Sequence, residues 1–328
     1  MKLLFLAATC LCLAIPSRAW RIFGEPSDGK IRPVQKLNDE NKPGDVLTAL
    51  TPQFMQTLRG TDLRQAYVLL GDSLQKLGRS DEALGYYQLG VSLFPKNVDL
   101  LVRQAMLLHR EGLDERAKPL FERALTYEPR HWNAHQGLAE IDRTMGFFER
   151  SAQHFEIALE SVDKRPEIWR DYAEVLLSLR DYRTAELALK RALELEPRNV
   201  ESVILLGFAK RAQNDLPGAS RELETALDLG AGIGARRALG LFRLEAGDYA
   251  QARIQADLVL KEVPNDGAAL WIMARVRLAA GDEAGALSRL AAASTNPAST
   301  ALSARIARVL AARLRENAAQ REESLYQR

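Results

Sequence analysis

The strongest constraint on this chain is a ruler of 34 residues. Pro95, Pro129 and Pro197 fall on its ticks, and the tick between the last two lands on Asp163, next to Arg165 and Pro166. Gly78, Gly112 and Gly146 keep the same spacing, as do Tyr87, Phe121, Phe155 and Leu189. A period of this size marks a stacked-repeat protein, in which each unit buries its apolar face only against its neighbours.

Each period reads as two amphipathic helices. Tyr67, Leu70, Gly71 and Leu74 form one stripe at i, i+3, i+4 and i+7, and Ala83, Tyr87 and Gly90 form a second after the break at Gly78. The small members of each stripe let the two helices approach closely. Proline then ends the second helix, because it lacks an N–H and clashes with the preceding turn.

These residues resemble the tetratricopeptide repeat (TPR). Tyr67, Leu70, Gly71, Leu74, Ala83, Tyr87, Gly90 and Pro95 match its pattern, and Trp169, Tyr172, Ala173, Leu176, Ala185, Leu189, Ala192 and Pro197 match it again. The third unit has Ser151 where alanine is usual. The fifth (Leu206, Gly207, Ala219, Leu223, Ala226) lacks its proline and one residue of length, and the pattern weakens in the last, around Gly281 and Leu290. The resemblance covers residues 64–298. It implies an all-α, right-handed TPR-type α-solenoid of about seven helix-pair repeats with capping helices.

The flanks read differently. Lys2, the apolar run Leu3 to Ile15 and the small-x-small sequence Ser17, Arg18, Ala19 form a signal-peptide pattern over residues 1–19. The run is too short to span a bilayer comfortably. The expected mature chain starts at Trp20, is secreted across the inner membrane and is periplasmic, with no membrane span of its own. Residues 20–44 are rich in Pro, Gly, Asp, Asn and Lys without a helical or strand period, which predicts a flexible tether. Residues 45–63 predict an N-terminal capping region, with Thr51 as N-cap before Pro52. Residues 299–328 predict a capping helix with the stripe Leu302, Ile306, Val309, Leu310 and Leu314, followed by a frayed charged tail.

Composition narrows the chemistry. Both cysteines, Cys10 and Cys12, belong to the leader, so the mature chain carries no disulfide, thiolate or Cys-ligated zinc. The 45 Lys and Arg include Lys2 and Arg18, leaving 43 against 43 Asp and Glu. A neutral chain offers no strong electrostatic case for nucleic acid or an anionic membrane surface. Gly230, Gly232 and Ala235 fit a loose dinucleotide fingerprint, but a helical pattern precedes them where a strand is required. His131 and His135 are spaced i, i+4, as two metal ligands on a helix can be, yet nothing nearby completes a site. No cofactor or metal is expected.

The resemblance also implies a binding groove lined by the first helix of each repeat. Carried over by register, its residues include Arg170 and Glu174, then Ile204, Phe208 and Arg211, then Arg237 and Leu241, then Trp271 and Arg275. Leu244 joins them to make an apolar patch flanked by arginines. Earlier units contribute Asp72, Met106, His109 and Glu140. Val68, Val102 and Ile204 stand where TPR chaperone adaptors carry a carboxylate-clamping lysine, so a chaperone-tail receptor is not expected. The implied function is a non-enzymatic scaffold for protein partners in assembly of a bacterial envelope complex, such as pilus, secretion, polysaccharide-export or cell-wall machinery. The alternative is a structural subunit that self-assembles through its repeat ends.

Overall fold

The structure is a computed structural model that describes residues 29–295 and, beyond them, 308–309, 311–312 and 315–316. The leader, the first part of the tether and most of the C-terminal cap fall outside the described residues. The chain divides into two compact units, Met1–Val162 and Asp163–Arg328. Among the described residues all regular structure is helical.

The first unit opens with three short helices, α1 (Arg32–Asp39), α2 (Pro43–Ala49) and α3 (Pro52–Thr57). Three antiparallel pairs follow: α4 (Gly60–Lys76) with α5 (Ser80–Leu93), α6 (Val98–Arg110) with α7 (Asp114–Tyr127), and α8 (Trp132–Thr144) with α9 (Phe148–Ser161). The second unit has four pairs: α10 (Pro166–Ser178) with α11 (Tyr182–Leu195), α12 (Val200–Ala212) with α13 (Leu216–Asp228), α14 (Ile233–Glu245) with α15 (Tyr249–Glu262), and α16 (Gly267–Ala279) with α17 (Glu283–Thr295). Each first helix packs most heavily on its own second helix. The described residues thus contain seven helix pairs of the TPR-type solenoid.

One backbone feature recurs in every pair. The second residue after each first helix takes a left-handed conformation: Gly78, Gly112, Gly146, Arg180, Asn214, Gly247 and Gly281, with φ between 63° and 80°. The next residue's N–H then reaches back to a carbonyl five positions earlier, as from Arg79 to Leu74 and from Asp181 to Leu176. This closure satisfies carbonyls that the helix end leaves open and turns the chain for the second helix. The one-residue loss in the fifth pair has a matching cause. The proline-ended second helices stop at a residue with φ between −125° and −134°, whereas α13 closes on Gly230, at φ 95°, with Ala231 N–H donating to Ala226 O. Gly230 is therefore the joint between two helices.

The second helix of each of the first three pairs buries one aromatic ring. Tyr87, Phe121 and Phe155 are fully buried. A Cβ on Gly71 would lie 2.1 Å from the Tyr87 ring, and the Tyr87 hydroxyl is held by a 2.6 Å bond to Asp72 Oδ1. The ring cannot yield without losing that bond.

Two expectations need correction. The segment read as a tether contains α1 and the start of α2. Ile31 and Val34 are buried with Val46, Leu58, Leu69 and Leu70, and Leu37 packs on the same cluster. Ile31 N–H also donates to the buried Asp62 carboxylate at 3.4 Å. Three apolar residues are too few to register as a period, and their burial against α4 supplies what local pattern lacks. At the other end, Val309 of the expected cap stripe is 51% exposed, while Ala311 is buried with Leu270, Ala274 and Leu290. Thr51 does cap α3, accepting from Phe54 N–H at 3.2 Å.

Gly71→Ala should lower the unfolding free energy by about 1–3 kcal/mol through overpacking. Gly44→Ala, at an exposed helical position with nothing within 4 Å, should leave it unchanged or raise it by up to about 1 kcal/mol; urea unfolding of both variants checks the contrast. Arg180→Gly should raise stability by about 1 kcal/mol, because a left-handed non-glycine residue carries that order of strain. A neutral or destabilising result from calorimetry would count against the turn as described.

Candidate functional site

The first helices of successive pairs touch one another in the second unit, α10 against α12 and α14 against α16. The nine residues assigned by register lie on α10, α12, α14 and α16. Phe208 on α12 is 39% exposed and stands edge-on to the buried Phe242 ring of α14, with centroids 5.5 Å apart and planes at 87°. Arg211, one turn on, lies over the same ring at 5.2 Å and pairs with Glu245 on α14, its Nε donating at 2.7 Å. Ile204 packs against the cluster of Leu223, Ala238, Leu239 and Phe242.

Leu241 on α14 is half-buried and joins two clusters, the one under Ile204 and the one around Leu244, Ile272 and Met273. Trp271 on α16 packs against the second of these, and the Arg275 guanidinium lies 5.6 Å from its ring centre. Ile204, Phe208, Leu241 and Trp271 are thus linked into one apolar row through three helices, with Arg275 exposed at its end.

The remaining charged residues do structural work. Arg237 donates from Nε to Asp266 Oδ2 at 2.7 Å, while Asp266 Oδ1 accepts from Ala269 N–H at 2.9 Å and caps α16. Arg170 bonds Asp171 at 3.0 Å and reaches Glu201 of the next pair at 3.3 Å. Glu174 is half-buried beside it. Leu244, expected in the patch, is 7% exposed and belongs to the core between α14 and α16. Phe242 was not among the residues expected here. It occupies a buried position that the TPR signature does not specify, so only its size among smaller equivalents (Ala209, Val276) marks it.

His131 and His135, spaced i, i+4, have separate partners. His131 caps α8, its Nδ1 accepting from Ala134 N–H at 3.4 Å, and His135 turns instead to His154 on α9, Nδ1 to Nδ1 at 2.9 Å. No group of three or more His, Cys, Asp or Glu side chains is arranged for a metal among the described residues.

Comparison with known proteins accords with the geometry. The tetratricopeptide repeat family matches residues 68–126 and 137–202. The C-terminal part of a TPR repeat-containing protein from Cytophaga hutchinsonii shares the fold with a TM-score of 0.57 at 15% identity, covering 73% of this chain and 98% of that one. YrrB, a TPR protein with an unusual peptide-binding site, aligns with a TM-score of 0.53 at 18% identity over 56% of this chain and 95% of its own. BBSome complex member BBS4 of Bos taurus is 24% identical over 162 residues, 49% of this chain. The chain spans about a third of that relative's length (31%). The fold is that of a TPR-type solenoid, and part of the sequence matches the tetratricopeptide repeat family.

Truncating Arg237 would leave the Asp266 carboxylate, 7% exposed, without its cation. Arg237→Ala should therefore cost about 1–3 kcal/mol of stability, whereas Arg275→Ala should change it by less than about 0.5 kcal/mol. Chemical denaturation distinguishes them, and equal losses would mean Arg275 is also structural.

Proposed function

We propose that the protein is a non-enzymatic adaptor, delivered out of the cytoplasm by its leader, that holds a protein segment on the first-helix face of its second unit during assembly of a bacterial envelope complex. The observation that carries the reading is the half-exposed row from Phe208 to Trp271, ended by Arg275. Large apolar side chains in a contiguous exposed row are costly on a surface that binds nothing. Aromatic and arginine side chains are the types that most often dominate interface energy. The extracytoplasmic assignment rests on the pattern Lys2, Leu3 to Ile15 and Ser17 to Ala19; the envelope assignment rests on that location together with the scaffold fold.

A photo-cross-linking residue placed at Phe208 should trap a partner in cells. The same residue at Leu187, 61% exposed on a second helix, should not. With that partner in hand, Phe208→Ala and Arg275→Ala should each weaken binding at least tenfold, about 1.4 kcal/mol, without loss of helicity. Undiminished binding in both would remove the site from this face, and concentration-dependent sedimentation without a trapped partner would favour a self-assembling subunit. Protein recovered from the periplasm should have the intact mass of a chain beginning at Trp20; a retained cysteine would refute the cleavage site.

A further inference from the structure

The third helix pair buries a contact that depends on protonation in a way nothing above requires. His135 on α8 is 5% exposed. Its Nε2 lies 2.9 Å from the carbonyl oxygen of Pro129, an acceptor only, so Nε2 carries a proton. In the neutral ring Nδ1 is then bare and accepts, which makes His154 Nδ1, 2.9 Å away, the donor. One hydrogen bond between two neutral imidazoles joins α8 to α9.

The surroundings limit where further protons can go. His154 Nε2 is the one ring nitrogen left bare, 4.0 Å from Asp142 Oδ2. Asp142 already bonds Arg150 of α9 and lies 3.9 Å from Lys118 Nζ of α7, and Glu122 of α7 lines the same hollow. A first proton on His154 thus enters a half-buried site where Lys118 and Arg150 already serve the Asp142 and Glu122 carboxylates, and it leaves the Nδ1–H bond in place. A second, on His135 Nδ1, sets N–H against N–H and abolishes the bond. Burial first, and the neighbouring His135 next, hold His154 below the ordinary imidazole range.

The opposite edge of α8 has the reverse requirement. His109, at the end of α6, places Nδ1 2.6 Å from Asp114 of α7 and Nε2 3.2 Å from Glu140 of α8. Gln136 Nε2 donates to the other Glu140 oxygen at 2.8 Å. Only the imidazolium donates to both carboxylates, and the Glu140 bond is the leading cause that raises this histidine. The signs therefore differ. His109 contributes fully below the ordinary imidazole value, about 6.5, and its contribution fades as pH rises through its raised folded value. His154 contributes fully above about 6.5 and its contribution fades as pH falls through its lowered folded value.

We propose that α8 is an acid-sensitive hinge: in acid it keeps its bond to α6 through His109 and loses its bond to α9 once both His135 and His154 carry an added proton. The four histidines of the full chain make the test direct. With 15N-labelled histidine, His135 should show the Nε2–H tautomer and His154 the Nδ1–H tautomer at pH 7.5. His154 should titrate below the ordinary imidazole value and His109 above it. Amide exchange in α9, corrected for intrinsic rates, should rise at least tenfold from pH 7.5 to pH 5, with α6 and α7 unchanged. The double variant His135→Gln, His154→Asn removes both ionisations and should flatten the α9 response. The proposal fails if His154 titrates at or above the ordinary value, if wild-type α9 exchange changes less than twofold, or if the double variant keeps the full acid response.

Discussion

The fold depends on the chain reversing within three residues after every first helix. A left-handed residue at that point lets the next N–H bond back to the helix end, and the second helix then lies antiparallel after a connection of three residues. Everything downstream uses that geometry. The second helix brings Tyr87 so close to its own first helix that Gly71 has no room for a methyl group, and brings Phe121 equally close to Gly137 of the next pair. Because each reversal is made the same way, the seven pairs inherit the same packing although their sequences have drifted. Arg180 and Asn214 hold the conformation at a cost that glycine avoids. This indicates that packing of the pair, rather than the turn residue, determines the turn in those two repeats.

That dependence explains what could be read from residues alone. Gly78, Gly112 and Gly146 announce the turns, and buried aromatics at constant offsets announce the pairing, so the repeat architecture was legible. The fifth pair's lost residue was visible as a slip, but its cause was not. Gly230 ends α13 in the way that first helices end, a choice that the length alone does not reveal. The helix α1 was hidden for a different reason. Its three apolar residues match no long stripe, and it forms because Leu69 and Leu70, distant in sequence, offer them a surface. Tertiary burial overrode a local composition that favours open chain.

The site was legible in part for the same reason. Register put Phe208, Leu241 and Trp271 on one face, since helical period fixes direction. It could not say how deeply each would sink. Leu244 lies on the same helix as Leu241 but one turn nearer the α14–α16 contact, and it becomes core. Phe242, which supports both Phe208 and Arg211, lies outside the signature positions and gave no periodic signal.

Charge was the least legible property, because a solenoid pairs its polar residues across about one period. Arg103 bonds Asp72, His109 bonds Glu140, Arg211 bonds Glu245 and Arg237 bonds Asp266, each pair separated by 29 to 34 residues in sequence. Any helix position that looks toward a ligand in one repeat also looks toward its neighbour in the next. Most of the charged groups that register offers for recognition are therefore engaged in tying repeat to repeat, and a partner that recruited them would have to compete with short ion pairs. Phe208 has no such competitor on its exposed edge, and the exposed Arg275 lies against the Trp271 ring. A partner bound on this face as proposed would be held chiefly by apolar contact with one cation at its end, and its affinity should depend little on salt, since screening acts on exposed charge pairs rather than on buried apolar area.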